Sequence, residues 1–411
     1  MNFEAEIPTG RVSGHCDERF RPVADAFVEN YRSRSEVGAS LYLSVEGTTV
    51  VDLWGGARLP DDGEPWQRDT VSVVFSCTKA ATALCAHVLA DRGEIDLGAP
   101  VAEYWPEFAQ AGKSGVSVAM LLNHSAGLPA LRDTVKAGGY YDWDYMVERL
   151  AAEEPFWEPG TRNGYHMITF GWLVGEVVRR VSGRSLGTFF REEIAEPLGL
   201  DFWIGLPEEH EARVAPMILW QPEPDTPITD FTVALMGDPT SIQFLSLMNS
   251  GGHMVDTREA HAAEIGGGGG IANARALAGM YEPLALGGEH RGVRLLSPAA
   301  ICRMSQVSMA TMRDATLLIP TRFGLGFMRS MDNRDRPAGD LESCIVGRHA
   351  FGHGGAGGSL AFADPDCGLA FGYSMTKMGL GILLNERGQS LVDATYRCLG
   401  YTGDAGGAWE R

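Results

Sequence analysis

Apolar residues recur at intervals of three and four at Phe20, Val23, Phe27 and Tyr31, and this spacing predicts an amphipathic helix over residues 17–34. Two β-rich runs follow, Ala39 to Val45 and Thr48 to Trp54, separated by the turn-like Glu46-Gly47, which reads as a hairpin. From Ser76 to Arg92, Ala, Leu, Cys and Val fall at helical spacing and stop at Gly93, which puts Ser76 at a helix N-terminus. Between residues 100 and 250 the pattern breaks into short helical stretches joined by Pro/Gly loops, with Gly171 to Val181 the clearest helix.

Five consecutive glycines, Gly266 to Gly270, precede Ile271-Ala272-Asn273-Ala274-Arg275-Ala276-Leu277-Ala278 in helical register. The expectation is a tight turn that exposes backbone groups before a helix, rather than a flexible tether. Gly358 to Ala363 and Gly368 to Met375 are β-rich runs around the turn Asp364-Pro365-Asp366-Cys367, and a helix from Gly388 to Cys398 closes the chain. This order predicts an α+β fold: an antiparallel sheet flanked by N- and C-terminal helices, plus a mainly helical lobe. The expected division is 1–100 with 251–411 for the α/β lobe and 101–250 for the helical lobe, with an active site between them.

Composition narrows the partners. With 411 residues, 45% of them hydrophobic, the chain has material for a sizeable core. A formal net charge of −19 opposes nucleic acid and anionic membrane surfaces. Acidic residues follow Met1 where a signal peptide carries basic ones, and no apolar run is long enough to span a bilayer, so a soluble, cytoplasmic protein is expected. The seven cysteines are scattered and include no Cys-x-x-Cys pair, which reads as free thiols. The ten histidines form no His-x-His or His-Glu-x-x-His, so no metal and no cofactor is expected. Gly266 to Gly270 lack the following Lys-Ser or Lys-Thr of a phosphate loop.

The candidate chemistry lies in Ser76-Cys77-Thr78-Lys79. A serine hydroxyl is a poor nucleophile near neutral pH unless a neighbour takes its proton. A desolvated lysine serves, because burial disfavours its charged form, and on a helix i and i+3 share a face. The helix start also offers a backbone N–H and a positive dipole end to a developing oxyanion. The pattern recurs at Ser374-Met375-Thr376-Lys377, but inside a β-rich run, where i and i+3 face opposite sides. Cys77 points about 100° away from Ser76 on a helix and is expected to be chemically silent.

Beyond these four residues come Leu121-Leu122-Asn123-His124-Ser125-Ala126-Gly127-Leu128, then Pro159-Gly160-Thr161 leading to Tyr165, then His353-Gly354-Gly355. In this order the chain resembles the group of serine β-lactamases, penicillin-binding proteins and family VIII carboxylesterases, over nearly its whole length. The resemblance implies a β-lactamase/transpeptidase-like fold. It implies Tyr165 as a second base that shares protons with Lys79 and Ser76, and the backbone N–H groups of Ser76 and Ala356 as the oxyanion hole. It also implies His353, Gly354 and Gly355 as a substrate-binding strand.

The chain departs from that group at two points. Tyr165-His166-Met167 lacks the Asn of Tyr-x-Asn, and His353 stands where lactamases usually place a lysine for the substrate carboxylate. Both favour a small-molecule ester over a lactam. The aromatic stretch around Tyr141, with Trp157, is a candidate pocket lining. His124, in an apolar context, reads as structural. The rival readings are β-lactam hydrolysis, D-amino peptide cleavage or acyl transfer through the same acyl-enzyme. A non-catalytic binding or scaffold protein of this fold is the rival of another class. Oligomeric state is left open.

Overall fold

The computed structural model of the protein describes residues 1–60, 63–222, 226–381 and 383–411. Its main sheet has seven strands: β1 (Asn2–Ile7), β2 (Gly10–Cys16), β3 (Gly38–Val45), β4 (Thr48–Gly56), β5 (Phe351–Gly354), β6 (Leu360–Asp364) and β7 (Leu369–Met375). They are antiparallel throughout, in the order β1-β2-β4-β3-β7-β6-β5. The two ends of the chain therefore meet at the β3–β7 pair, where Ser374 lies opposite Ser40.

Every residue of β7 is buried, as are seven of the eight in β3, because helices cover both faces. On one face lie α1 (Arg21–Ser33) and α8 (Glu386–Cys398), packed on each other. On the other lies α7 (Ala274–Ala285). The approach of α7 is close: a Cβ at Gly372 would sit 2.2 Å from the carbonyl oxygen of Ala274.

Three features differ from the sequence expectation. The hairpin β1–β2 was not anticipated, although Phe3, Ala5 and Ile7 alternate with Glu4 and Glu6; Phe3 is buried and both glutamates pair with Arg11 across the hairpin. Helix α1 starts at Arg21 rather than 17, after a short 3-10 turn over Glu18–Phe20 and with Pro22 in its first turn. Ile271 and Ala272 are not helical: they form a short strand between Ser72–Val73 and Phe202–Trp203. Asn273 then caps α7, its side chain accepting from the Ala276 N–H, and this fixes the start of the helix.

Between the two parts of the sheet run mostly helices, among them α2 (Thr78–Asp91), α3 (Thr169–Ser182), α4 (Leu186–Phe190), α5 (Asp230–Gly237) and α6 (Ile242–Met248). Helix α2 is buried on nearly every side and packs against α3 and α4 as well as beneath the sheet-side turn that carries Ser76. Its sequence shows no polar face for that reason.

Candidate active site

Ser76 lies in the single 3-10 turn Phe75–Cys77 that links the strand Ser72–Val73 to α2. Phe75 just before it has φ of +44°, a left-handed conformation that is costly for an aromatic residue. The turn is held from several sides. Thr78 Oγ1 donates to the Phe75 carbonyl at 2.5 Å, and Ser359 Oγ donates to the Val74 carbonyl at 3.0 Å. Cys77 is buried, and its thiol donates to the His353 carbonyl at 3.2 Å, which ties the turn to β5. Burial pushes that thiol up to about 12, so it stays protonated and is not a second nucleophile.

One turn further, Lys79 is fully buried. Its Nζ lies 3.0 Å from Ser76 Oγ, 2.5 Å from the Met167 carbonyl oxygen and 2.6 Å from the Gly267 carbonyl oxygen. Desolvation holds its pKa well below the ordinary lysine range. A neutral amine has two N–H bonds and one lone pair. With the two carbonyls taking the N–H bonds, the lone pair is left directed at the Ser76 hydroxyl.

The carbonyl of Gly267 explains the glycine run. Gly266 accepts from Thr82 Oγ1 at 2.8 Å, and the Gly270 N–H donates to Thr78 Oγ1 at 2.8 Å, so the loop lies flat along α2. A Cβ at Gly267 would sit 2.2 Å from the Ile168 carbonyl oxygen. The run is thus a docked turn whose backbone faces Lys79.

Tyr165 completes the cluster. Its hydroxyl lies beside Ser76, its ring face lies 4.6 Å from Lys79 Nζ, and burial raises its pKa far above the ordinary phenol value. His353 Nε2 is 3.5 Å from the Tyr165 hydroxyl, and its Nδ1–H donates to the Gly354 carbonyl at 2.7 Å. Desolvation, with Lys79 nearby, lowers the His353 pKa to about 3, so the ring is uncharged at neutral pH. Gly355 admits no side chain, since a Cβ would lie 2.3 Å from the Val74 carbonyl oxygen, and this brings β5 against the Ser76 turn.

Ser76, Tyr165, His353, Gly354, Gly355 and Ala356 together line one cavity of about 500 Å³. Among the described residues no Asp, Glu, Lys or Arg lines it, and its remaining wall is mostly apolar, including Phe75, Ile168, Leu219, Phe231 and Met378.

Two expected pocket residues lie outside this wall. Tyr140, not Tyr141, lines the cavity; the Tyr141 hydroxyl turns to His253 Nδ1 at 3.2 Å and supports that ring from behind. Trp157 packs edge-on against His166 and beside Gly164, so it backs the Tyr165 segment instead of facing the cavity. Ser374 is buried in β7 with its hydroxyl on Ser40 at 2.9 Å, far in role from a nucleophile.

His124 has a structural placement. Buried with φ of +65°, it packs 4.9 Å from the Tyr165 ring, and its Nδ1 accepts the His166 N–H at 3.2 Å. His166 Nε2 in turn accepts the Leu128 N–H at 3.0 Å. The segment from Leu121 to Leu128 is therefore a buttress for Tyr165.

Asp314 was absent from the sequence reading. It is fully buried, and its carboxylate accepts the Tyr165 N–H at 3.0 and 3.1 Å and the N–H groups of Thr316 and Leu317 at 2.8 Å each. Asp-Ala-Thr marks a local turn in the sequence, but nothing there points to a partner 149 residues away. Replacing Asp314 by Ala leaves three buried N–H groups unpaired and is expected to destabilise the protein by about 3 kcal/mol or more in urea titrations.

The Beta-lactamase family profile matches residues 23–392. The chain is 37% identical over 365 residues to Esterase/beta-lactamase LipL of Mycobacterium tuberculosis (strain ATCC 25618 / H37Rv), covering 88% of this chain and 82% of that one. The crystal structure of a family VIII carboxylesterase matches with a TM-score of 0.82 and 38% identity, covering 94% of this chain and 99% of the other. A penicillin-binding protein homolog from Caulobacter crescentus matches with a TM-score of 0.82, 37% identity and the same coverage. By sequence and by fold, this chain belongs to the Beta-lactamase family and is a serine hydrolase.

Proposed function

We propose that the enzyme hydrolyses neutral carboxylic esters of small molecules through an acyl-enzyme on Ser76, in a cleft between the α/β lobe (1–100 and 251–411) and the helical lobe (101–250). The observation that carries this reading is the uncharged cavity. Among the described residues it offers no cation to a substrate carboxylate, and His353, where a lysine would stand, is held neutral. A β-lactam or a peptide ending in a free carboxylate would lose its anchor there, and burying that unpaired charge is expensive.

In this mechanism Ser76 Oγ attacks the ester carbonyl as its proton passes to the Lys79 amine. The backbone N–H groups of Ser76 and Ala356, both on the cavity wall, hold the oxyanion. Tyr165, kept as a neutral phenol by burial, gives its proton to the departing alkoxide and is reprotonated from Lys79. Water then attacks the acyl-enzyme by the reverse proton path and the acid leaves. No step calls on a cofactor. All seven cysteines are unpaired, which supports a reducing compartment such as the cytoplasm, and among the described residues no helix is long and apolar enough to cross a membrane.

The test is a rate comparison between p-nitrophenyl butyrate and a chromogenic cephalosporin, with intact-mass detection of the acylated protein. The ester is expected to turn over at least about a hundredfold faster in kcat/KM, about 2.7 kcal/mol in transition-state binding, and Ser76→Ala is expected to carry no adduct. Fast cephalosporin turnover with negligible ester cleavage would overturn the reading.

A further inference from the structure

Beyond Ser76, Tyr165 and His353, the polar side chains on the described cavity wall are Tyr140, Ser250 and His253. They come from two segments, the 3-10 turn Gly139–Tyr141 and the loop that follows α6. The segments are stitched together. The Gly138 N–H donates to the Gly251 carbonyl at 2.9 Å, and Asn249 Nδ2 donates to the carbonyls of Leu131 and Asp133 at 3.0 and 2.9 Å. A Cβ at Gly251, where φ is +61°, would sit 2.2 Å from the Lys136 carbonyl oxygen, so no side chain fits between them. The rings of Tyr140 and His253 pack with their centroids 5.8 Å apart.

The same contacts fix the protons. The Tyr141 hydroxyl accepts the Met254 N–H at 3.3 Å and has one proton to give, which goes to His253 Nδ1, 3.2 Å away. The imidazole therefore carries its own N–H on Nε2, and that nitrogen has no protein partner among the described residues. Burial lowers the His253 pKa below the ordinary histidine value, so the ring is uncharged near neutral pH. Tyr140 is only 7% exposed, with its ring 5.1 Å from that of Trp172, and its hydroxyl also lacks a protein partner among the described residues. Burial pushes this hydroxyl up to about 12, so it keeps its proton. Donors so enclosed normally have acceptors. Here two neutral donors line an otherwise mostly apolar cavity without one.

We infer that the Tyr140 hydroxyl and the His253 Nε2–H form a substrate-binding corner for a second, uncharged carbonyl carried by the ester whose first carbonyl lies at Ser76. This deepens the ester reading and rests on it. The class of group follows from the donors. A carbonyl oxygen offers lone pairs to neutral O–H and N–H groups, whereas a carboxylate would be buried there without a cation. A purely hydrocarbon substrate would leave both donors desolvated and unpaired, which weakens binding. The favoured substrates are therefore keto esters and diesters rather than simple alkyl esters.

The experiment uses the full-length Ser76→Ala protein, which binds without turnover, and reads affinity from displacement of bound Nile red. Its ligands are pairs of matched shape. On the acyl side, methyl levulinate and its two next longer keto homologues are each compared with the ester in which a methyl branch replaces the ketone oxygen. On the alcohol side, 3-oxobutyl butyrate is compared with isoamyl butyrate. For at least one pair, Tyr140→Phe and His253→Phe are each expected to lower the affinity of the ketone relative to its partner by about three- to tenfold. A thermal melt verifies each fold. Tyr140→Phe removes one oxygen that no described protein group holds, so it carries the test if His253→Phe does not fold.

A relative affinity that either folded variant leaves unchanged for every pair overturns the inference: the corner is then a hydrated wall only. Hydrolysis of p-nitrophenyl butyrate by the Ser76 protein separates the two claims. A ketone preference that the variants abolish, without hydrolysis, upholds the corner and overturns the ester reading. Hydrolysis with relative affinities that the variants leave unchanged does the reverse.

Discussion

Replacing Lys79 by methionine is expected to lower kcat/KM for a neutral ester by about 10²- to 10⁴-fold, the range of a positioned general base. Methionine matches the buried stem but offers no lone pair to the Ser76 hydroxyl, 3.0 Å away. The same substitution has a signature in stability. The folded pKa of Lys79 is lowered, so between that value and the ordinary lysine value of about 10.4 the unfolded chain binds a proton that the folded one does not. Stability of the parent protein therefore rises with pH across this window through Lys79, and the variant lacks that contribution. Denaturant titrations from pH 7 to 10 are expected to show the parent gaining on the variant steadily. A constant difference would mean that Lys79 is charged in the folded protein, and the base assignment would fall.

Tyr165→Phe is the second large effect. The hydroxyl lies beside Ser76 and is held protonated by burial, so its proposed task is delivery of a proton to the leaving group. Loss of about 10²- to 10³-fold in kcat/KM is expected with an alkyl ester, whose alkoxide leaves poorly without a proton. With a p-nitrophenyl ester, whose phenolate departs unaided, the loss is expected to be at least about tenfold smaller. Acylation rates measured with both leaving groups decide the matter. Equal losses would indicate that the hydroxyl merely positions Ser76.

The helix starting near Ser76, the central hairpin, the two C-terminal strands and the closing helix are all legible in the chain because each is a local pattern. The period of apolar positions is a property of neighbouring residues, and it survives in α3, which is amphipathic. The hairpin β1–β2 was also legible in the alternation of Phe3, Ala5 and Ile7 with Glu4 and Glu6. Ile271-Ala272 illustrates the opposite case. Two apolar residues in register with a helix become a strand because Ser72–Val73 and Phe202–Trp203 present open edges on both sides. Tertiary pairing overrides so short a local preference.

The site divides in the same way. Ser76 and Lys79 were named from spacing, and Tyr165 and His353-Gly354-Gly355 from the family resemblance; all but Lys79 line one cavity, and Lys79 is buried beside Ser76. Tyr141 and Trp157 were named for chemistry alone, and neither faces it. An aromatic side chain has the same sequence signature whether it lines a pocket or backs one.

The sequence by itself determined the order of elements and offered a candidate nucleophile with a lysine one turn away, since i and i+3 adjacency is built into a helix. Only the tertiary structure decided the state of that lysine. Its lowered pKa depends on burial, and its orientation on the carbonyls of Met167 and Gly267, which lie 88 and 188 residues away along the chain. The same holds for Asp314 beneath Tyr165 and for the cavity, which no charged side chain lines among the described residues. Desolvation and cavity shape arise from which distant segments pack together, and no local pattern encodes them.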